Sequence, residues 1–281
     1  MIYRLYVGQK SIVNFLTAIF VILQLASLIP ESQAEDLLNN PMDVAFDSTN
    51  NRYLVSNYTD GRIIGIDSNN IQSIVLETNG NCKSLDIMGD TLYVAVDSRV
   101  AGYILSSRKL FLDVEIETIY GTAGIAADTN GFVYVTAPKG KVFKISVNDG
   151  THKLLSDEGL NLHLHNCAYD ISNDRLIVVE HQPHAPIKAV NINDGKVTDL
   201  INTEIGEFEG IAIGDKGDIY VASYLNGGSV YRFNTEQPSK SIEVMRDQET
   251  PSGLVYNRKD HVIALCRYEA NKVVFIPVPV K

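Results

Sequence analysis

A repeat of about forty residues runs through the chain from residue 41 onward, and it limits the possible folds more than any other feature. Each copy begins with an apolar segment, followed by a turn rich in Gly, Asn and Asp and then by β-rich runs such as YLVSN, VYVTA and IYVAS. A further run such as GRIIGID or GKVFKIS follows, and segments such as SIVLET supply a fourth. The apolar segments begin at six positions: Pro41, Cys82, Thr122, His165, Phe208 and Pro251. Four short strands in a period of this length are typical of one propeller blade.

The repeat therefore predicts an all-β protein, a six-bladed β-propeller with four-stranded antiparallel blades over residues 35–281. The last copy contains three β-rich runs before the final residue, Lys281. We therefore expect the outer strand of the sixth blade to come from Glu35–Asn40, which would close the ring.

The first 34 residues have the pattern of a signal peptide. Arg4 and Lys10 precede an apolar stretch from about Ile12 to Ile29, and Ser32 and Ala34 occupy the small-residue positions of a cleavage site. The pattern predicts an exported protein, secreted or periplasmic. An uncleaved membrane anchor is the alternative, because about 18 apolar residues can span a bilayer.

Charge and cysteine content narrow the possible partners and the means of stabilisation. The net charge is −10 and the chain has no run of Lys or Arg, so nucleic acid is not an expected partner. We expect a monomer with no membrane contact in the mature form, unless the N-terminal segment is retained. Three cysteines without CxxC spacing do not form a disulfide framework, and we expect buried free thiols.

The repeat also predicts which side chains meet on the axis. Functional residues are expected on the top face, which we define as the face where each blade's innermost strand begins. Aligning the copies places one small residue in each inner strand, such as Gly124 or Gly210, with Cys167 in the fourth blade. The preceding position should face the central channel, and across the copies it reads Met42, Lys83, Ala123, Asn166, Glu209 and Ser252.

The segments GIAAD, VYVTA and GKVFKIS, with their counterparts in the other copies, resemble the blades of NHL-repeat proteins. They are also similar to the senescence marker protein and gluconolactonase superfamily of six-bladed propellers. In calcium-dependent members of that superfamily, Glu, Asn and Asp side chains bind the metal at this ring. The resemblance implies Ca²⁺ or another divalent cation at Asn166 and Glu209. Met42 and Ala123 stand where other metal ligands would be, which removes a carboxylate.

Four of the six histidines fall between His163 and His184. A transition-metal site is one interpretation and a solvated loop is the other. General acid–base use of His165 or His181 beside Glu207 and Glu209 is a third, because an imidazole titrates near neutral pH.

Two classes of function remain open from the sequence. The first is an exported propeller that binds a small ligand or a protein on its top face and in its channel, through Lys83, Asn166, His181 and Glu209. The second is a divalent-metal-dependent lactonase or esterase, for which His165 and Glu209 are the catalytic candidates.

Overall fold

The structure, a computed structural model, describes residues 36–279. The predicted signal peptide lies outside these residues, and so does Glu35. The described part consists of β-strands and their connections, with one short 3₁₀ helix at Leu225–Gly227. Within it, no helix has the length and apolar character needed to cross a membrane.

Burial explains why these segments form strands in this order. The second strand of each blade is buried along most of its length, as in TLYVAV or RLIVVE, because neighbouring blades cover both of its faces. The outermost strands, such as KLFLDVE, are mostly exposed. Asp side chains order the hairpins between them: Asp128 Oδ1 accepts hydrogen bonds from the backbone N–H groups of Asn130 and Phe132, both 2.8 Å long.

The first three blades each contain four antiparallel strands. They comprise β1 (Pro41–Asp47), β2 (Arg52–Asn57), β3 (Arg62–Ile66) and β4 (Gln72–Glu77); β5 (Cys82–Met88), β6 (Thr91–Val96), β7 (Arg99–Ile104) and β8 (Lys109–Glu115); and β9 (Ile125–Ala127), β10 (Phe132–Ala137), β11 (Lys141–Ser146) and β12 (His152–Ser156).

Blades four and five also have four strands, and blade six has three. They comprise β13 (Leu164–Asp170), β14 (Arg175–Glu180), β15 (Ile187–Asn191) and β16 (Val197–Ile201); β17 (Phe208–Ile213), β18 (Asp218–Ser223), β19 (Ser229–Asn234) and β20 (Ser241–Arg246); and β21 (Pro251–Asn257), β22 (Val262–Arg267) and β23 (Lys272–Pro277).

The innermost strands pack against one another around a closed ring, in the order β1, β5, β9, β13, β17, β21 and back to β1. The predicted six-bladed, all-β architecture is confirmed, with four strands in five blades. All three cysteines are buried free thiols, as expected.

The ring closes without the predicted outer strand. The described residues 36–40 form no strand, and the sixth sheet ends at β23. Leu38 is buried instead among residues of the first and sixth blades, including Val55 and Ala264. We call residues 37–40 the strap. The backbone N–H of Asn40 donates to Asn271 Oδ1 at 2.6 Å, so the strap is held in part by side chains.

A bulge near the start of the inner strands determines which side chains face the channel. In five blades the inner strand has one more residue than its partner at this point, which redirects the side chains there. Leu164 pairs with Glu180 as Phe208 pairs with Ser223, so His165 is the structural equivalent of Glu209.

The register predicted for the fourth blade is therefore wrong by one residue. Asn166, and not Cys167, occupies the position of Gly210. The small size of Cys167 suggested the glycine position. In the structure Leu164 fills the buried start of the strand, and the register follows from that residue.

Candidate functional site

A cavity of about 440 Å³ opens on the top face around the channel axis. Two structural rings supply most of its lining. The first is the bulge position of the inner strands, which contributes Met42, Lys83, His165 and Glu209, and Ala123 joins it from just before β9. The second is the residue directly after each second strand, which contributes Tyr58, Pro138, His181, Tyr224 and Tyr268.

Glu209 is the central polar residue of the cavity and is buried. Its Oε2 lies 3.2 Å from Nε2 of His165, and its Oε1 lies 2.5 Å from Nδ1 of His181. The other ring nitrogen of His165, Nδ1, lies 2.9 Å from the backbone carbonyl oxygen of Glu209. The carboxylate is therefore held between two imidazoles, which we call the His–Glu–His cluster.

The Glu209 carboxylate raises the pKa of His181 above its ordinary value. Burial of the imidazole opposes this shift in part, and the negative charge of Glu207 adds to it. Apart from Glu209, the buried Nδ1 atom of His181 has no hydrogen-bond partner among residues 36–279. The ring of Tyr224 packs edge-on against His181, with 5.7 Å between centroids.

Lys83 faces the same cavity from the second blade and is half-buried. Its ammonium lies 3.4 Å from the backbone carbonyl oxygen of Tyr120. No carboxylate of the described chain lies within ion-pair distance of it, and Glu209 pairs with imidazoles instead. Lys83 is therefore a cation available to a ligand.

Three tyrosines form one wall of the cavity. Tyr58 and Tyr268 pack edge to face with centroids 6.1 Å apart. Burial holds the pKa of Tyr224 well above its usual range, and the charge of Glu209 contributes. None of the three hydroxyl groups donates a hydrogen bond to a residue in the described range.

Tyr268 was absent from the sequence-based site, although the sequence contains a signal for it. In blades one, five and six, a tyrosine follows the second strand directly, in SNY, ASY and CRY. His181 occupies the same position in the fourth blade. The residues that follow the second strands, aligned across the blades, therefore predict this ring, as the starts of the inner strands predict the other.

Asn166 lies deeper in the channel than Glu209 and contacts different residues. Its Nδ2 is 3.5 Å from Asp43 Oδ2, and its Oδ1 accepts from the backbone N–H of Cys167 at 2.7 Å. Asp43 also accepts a 2.5 Å hydrogen bond from Ser84, and burial raises the pKa of this carboxyl to about 6.

The structure thus does not bring Asn166 and Glu209 to a common point. Among residues 36–279, no group of three or more His, Cys, Asp or Glu side chains is arranged to hold a metal ion. Calcium binding, and the hydrolase function that depends on it, stay predictions.

The four clustered histidines separate into different environments. His165 and His181 contact Glu209, and their ring centroids are 6.3 Å apart. His163 lines the cavity, while His184 pairs with Glu204 at the surface, 3.1 Å from its carboxylate.

No protein-family model and no curated protein sequence matches this chain. Solved structures do match. A protein of unknown function from Bacteroides thetaiotaomicron superimposes with a TM-score of 0.74 at 11% identity, covering 86% of this chain and 70% of its own. An auxiliary nutrient binding protein from the same organism gives 0.67 at 11% identity, with 85% and 69% covered. Virginiamycin B lyase from Staphylococcus aureus gives 0.62 at 13%, with 88% and 86% covered.

The chain has the six-bladed propeller fold. At these identities the likeness concerns the fold alone, since one propeller fold carries many functions. The narrower NHL and gluconolactonase resemblance stays a prediction.

Proposed function

We propose that this protein is an exported propeller that binds a small molecule in its top-face cavity, with the His–Glu–His cluster as the polar recognition centre. Export is part of the proposal because of the N-terminal pattern in residues 1–34. The observation that carries the binding function is the convergence of Lys83, His165, His181 and Glu209 on one cavity.

The size and chemistry of the cavity support this function. Small-molecule sites are concave, measure roughly 300–1,000 Å³, and combine apolar walls with a few convergent polar groups. The cavity of about 440 Å³ has this composition, with Met42, Ala123, Pro138 and Leu162 beside the polar residues. A structural neighbour described as a nutrient binding protein shows that a chain of this fold can serve such a role.

Thermal melting of residues 35–281 against a panel of small polar and aromatic compounds tests the proposal. We expect at least one compound to raise the Tm of the wild type, since a ligand present at about 100 times its Kd stabilises by about 2.7 kcal/mol. Glu209→Gln should abolish this rise, because the amide cannot pair with both imidazoles as the carboxylate does. Glu204→Gln changes the same residue type at the surface pair with His184 and should keep the rise.

Two results would overturn the proposal. One is a panel in which no compound raises the Tm of the wild type. The other is a compound that stabilises the wild type and Glu209→Gln equally.

A further inference from the structure

The ionisable groups that line the cavity are mostly basic, in a protein whose net charge is −10. One lysine and three histidines face it: Lys83, His163, His165 and His181. Glu209 is the single carboxylate in the lining. The cavity therefore gathers basic side chains in a chain whose net charge is negative, and Lys83 contributes an ammonium group to it.

The carboxylate of Glu209 is already engaged by the two imidazoles of the His–Glu–His cluster. Each of its two oxygens contacts one imidazole. Oε2 lies 3.2 Å from His165, and Oε1 lies 2.5 Å from His181. Glu207 and Glu269 act electrostatically on His181 and Tyr224 from outside the lining. The ammonium of Lys83 donates to the backbone carbonyl oxygen of Tyr120 but has no carboxylate within ion-pair distance among residues 36–279. A half-buried cation without a counter-charge favours an anionic ligand.

The tyrosine hydroxyls point to the same class of ligand. Tyr58, Tyr224 and Tyr268 line the cavity, and no described residue accepts a hydrogen bond from them. Elsewhere in the chain three tyrosines donate to aspartates, among them Tyr134 to Asp128 at 2.9 Å and Tyr256 to Asp215 at 2.8 Å. Donors without acceptors in a cavity are complementary to a ligand that supplies acceptor oxygens.

From this donor set, and building on the proposed binding function, we infer that the ligand is a small organic anion, a carboxylate with an apolar or aromatic body. The carboxylate lies beside Lys83 and accepts from tyrosine hydroxyls. The body packs against the apolar part of the lining, where Met42, Ala123 and Leu162 lie. Aromatic rings of the tyrosine wall add contact area at little entropic cost, since each side chain has few rotatable bonds.

Isothermal titration with matched probes tests the inference. The probes are 3-phenylpropionate, its neutral amide and its amine analogue, with the corresponding cyclohexyl and n-pentyl compounds, each up to about 5 mM, a concentration that detects millimolar Kd values. We expect the best carboxylate to bind at least tenfold more tightly than its amide and its amine. Lys83→Gln should weaken that carboxylate about tenfold and leave the amide unchanged. Lys153→Gln, an exposed lysine on β12, is the matched control and should change neither.

An amide that binds as tightly as its carboxylate, or an amine that binds more tightly, would overturn the anion inference and leave a binding cavity in place. Failure of every carboxylate to bind would also overturn it. The proposed function is contradicted by a different result, in which no compound of the wider panel raises the Tm of the wild type more than that of Glu209→Gln.

Discussion

At the scale of single residues, the pairing of His181 with Glu209 sets the electrostatics of the cavity. His181 lies directly after β14, where three other blades carry a tyrosine, and this position turns its ring toward the carboxylate. An imidazole whose pKa is raised by a neighbouring carboxylate carries a positive charge at a higher pH than a free histidine does. The cavity therefore gains positive charge as the pH falls through the raised pKa of His181.

We predict that Glu209→Gln lowers the pKa of His181, because the substitution removes the charge that stabilises the imidazolium. The raised pKa means that the pair stabilises the fold fully below the ordinary histidine pKa of about 6.5, and that this contribution is lost as the pH rises through the folded-state pKa. Titration of the histidine side chains by NMR measures the change. Glu204→Gln should leave His181 unaltered, and an unchanged His181 pKa in Glu209→Gln would contradict the assignment.

The sequence predicted part of this site at residue level and missed part of it. The phase of the repeat placed Lys83 and Glu209 at the channel, and both line the top-face cavity. Residue size predicted Asn166 at the bulge position, which His165 occupies in the structure. The hydrogen-bond register, and not residue size, determines which residue enters the bulge. Contacts such as His165 with Glu209 join different blades, and no local pattern in the sequence encodes them.

At the scale of elements, the inner strands are joined below the cavity by the carboxyl group of Asp43. This group on β1 accepts from Ser84 on β5 and lies 3.5 Å from the amide nitrogen of Asn166 on β13. Gly253 of β21 packs so closely that a methyl group in its place would overlap Asp43. One buried carboxyl on the first blade thus contacts residues of three other blades.

We predict that Asp43→Asn changes how stability depends on pH. Burial raises the pKa of Asp43 from 3.8 to about 6, so its stabilising contribution is complete below about pH 4 and is lost as the pH rises through about 6. The free energy of unfolding of Asp43→Asn, relative to the wild type, should therefore rise by about 2 kcal/mol between about pH 4 and about pH 7. Urea denaturation at a series of pH values measures it.

The exposed Asp199→Asn makes the same chemical change on the outer strand β16 and is the control for this experiment. A difference between Asp43→Asn and the wild type that stays constant with pH would show that the Asp43 carboxyl titrates at its ordinary pKa.

At the scale of the whole molecule, the repeat period was sufficient to predict the propeller, since each period supplies the four strands that cannot bury their apolar faces alone. Ring closure was not predictable in the same way. The strap at residues 37–40 contributes one buried leucine, and the side chains of Asn57 and Asn271 accept hydrogen bonds from its backbone. Because these contacts are not those of a β-strand, the sequence of the strap carries no alternating strand pattern.

The channel has two chemically different ends. The top-face cavity is lined by histidines, tyrosines and Lys83, whereas the cavity around the opposite ends of the inner strands, also about 440 Å³, is lined by aspartates that include Asp43, Asp86 and Asp170. Binding at the top face is therefore distinguishable from binding at the other end by the residues that respond.

The most direct measurement is the ¹⁵N–¹H spectrum of the six histidine side chains, recorded with and without a compound that stabilises the wild type. We predict that the imidazole signals of His165 and His181 shift on binding, while that of His261, which hydrogen-bonds to Tyr256 outside the top-face cavity, stays in place. A shift of His261 with His165 and His181 unchanged would contradict the assignment of the top-face cavity as the binding site.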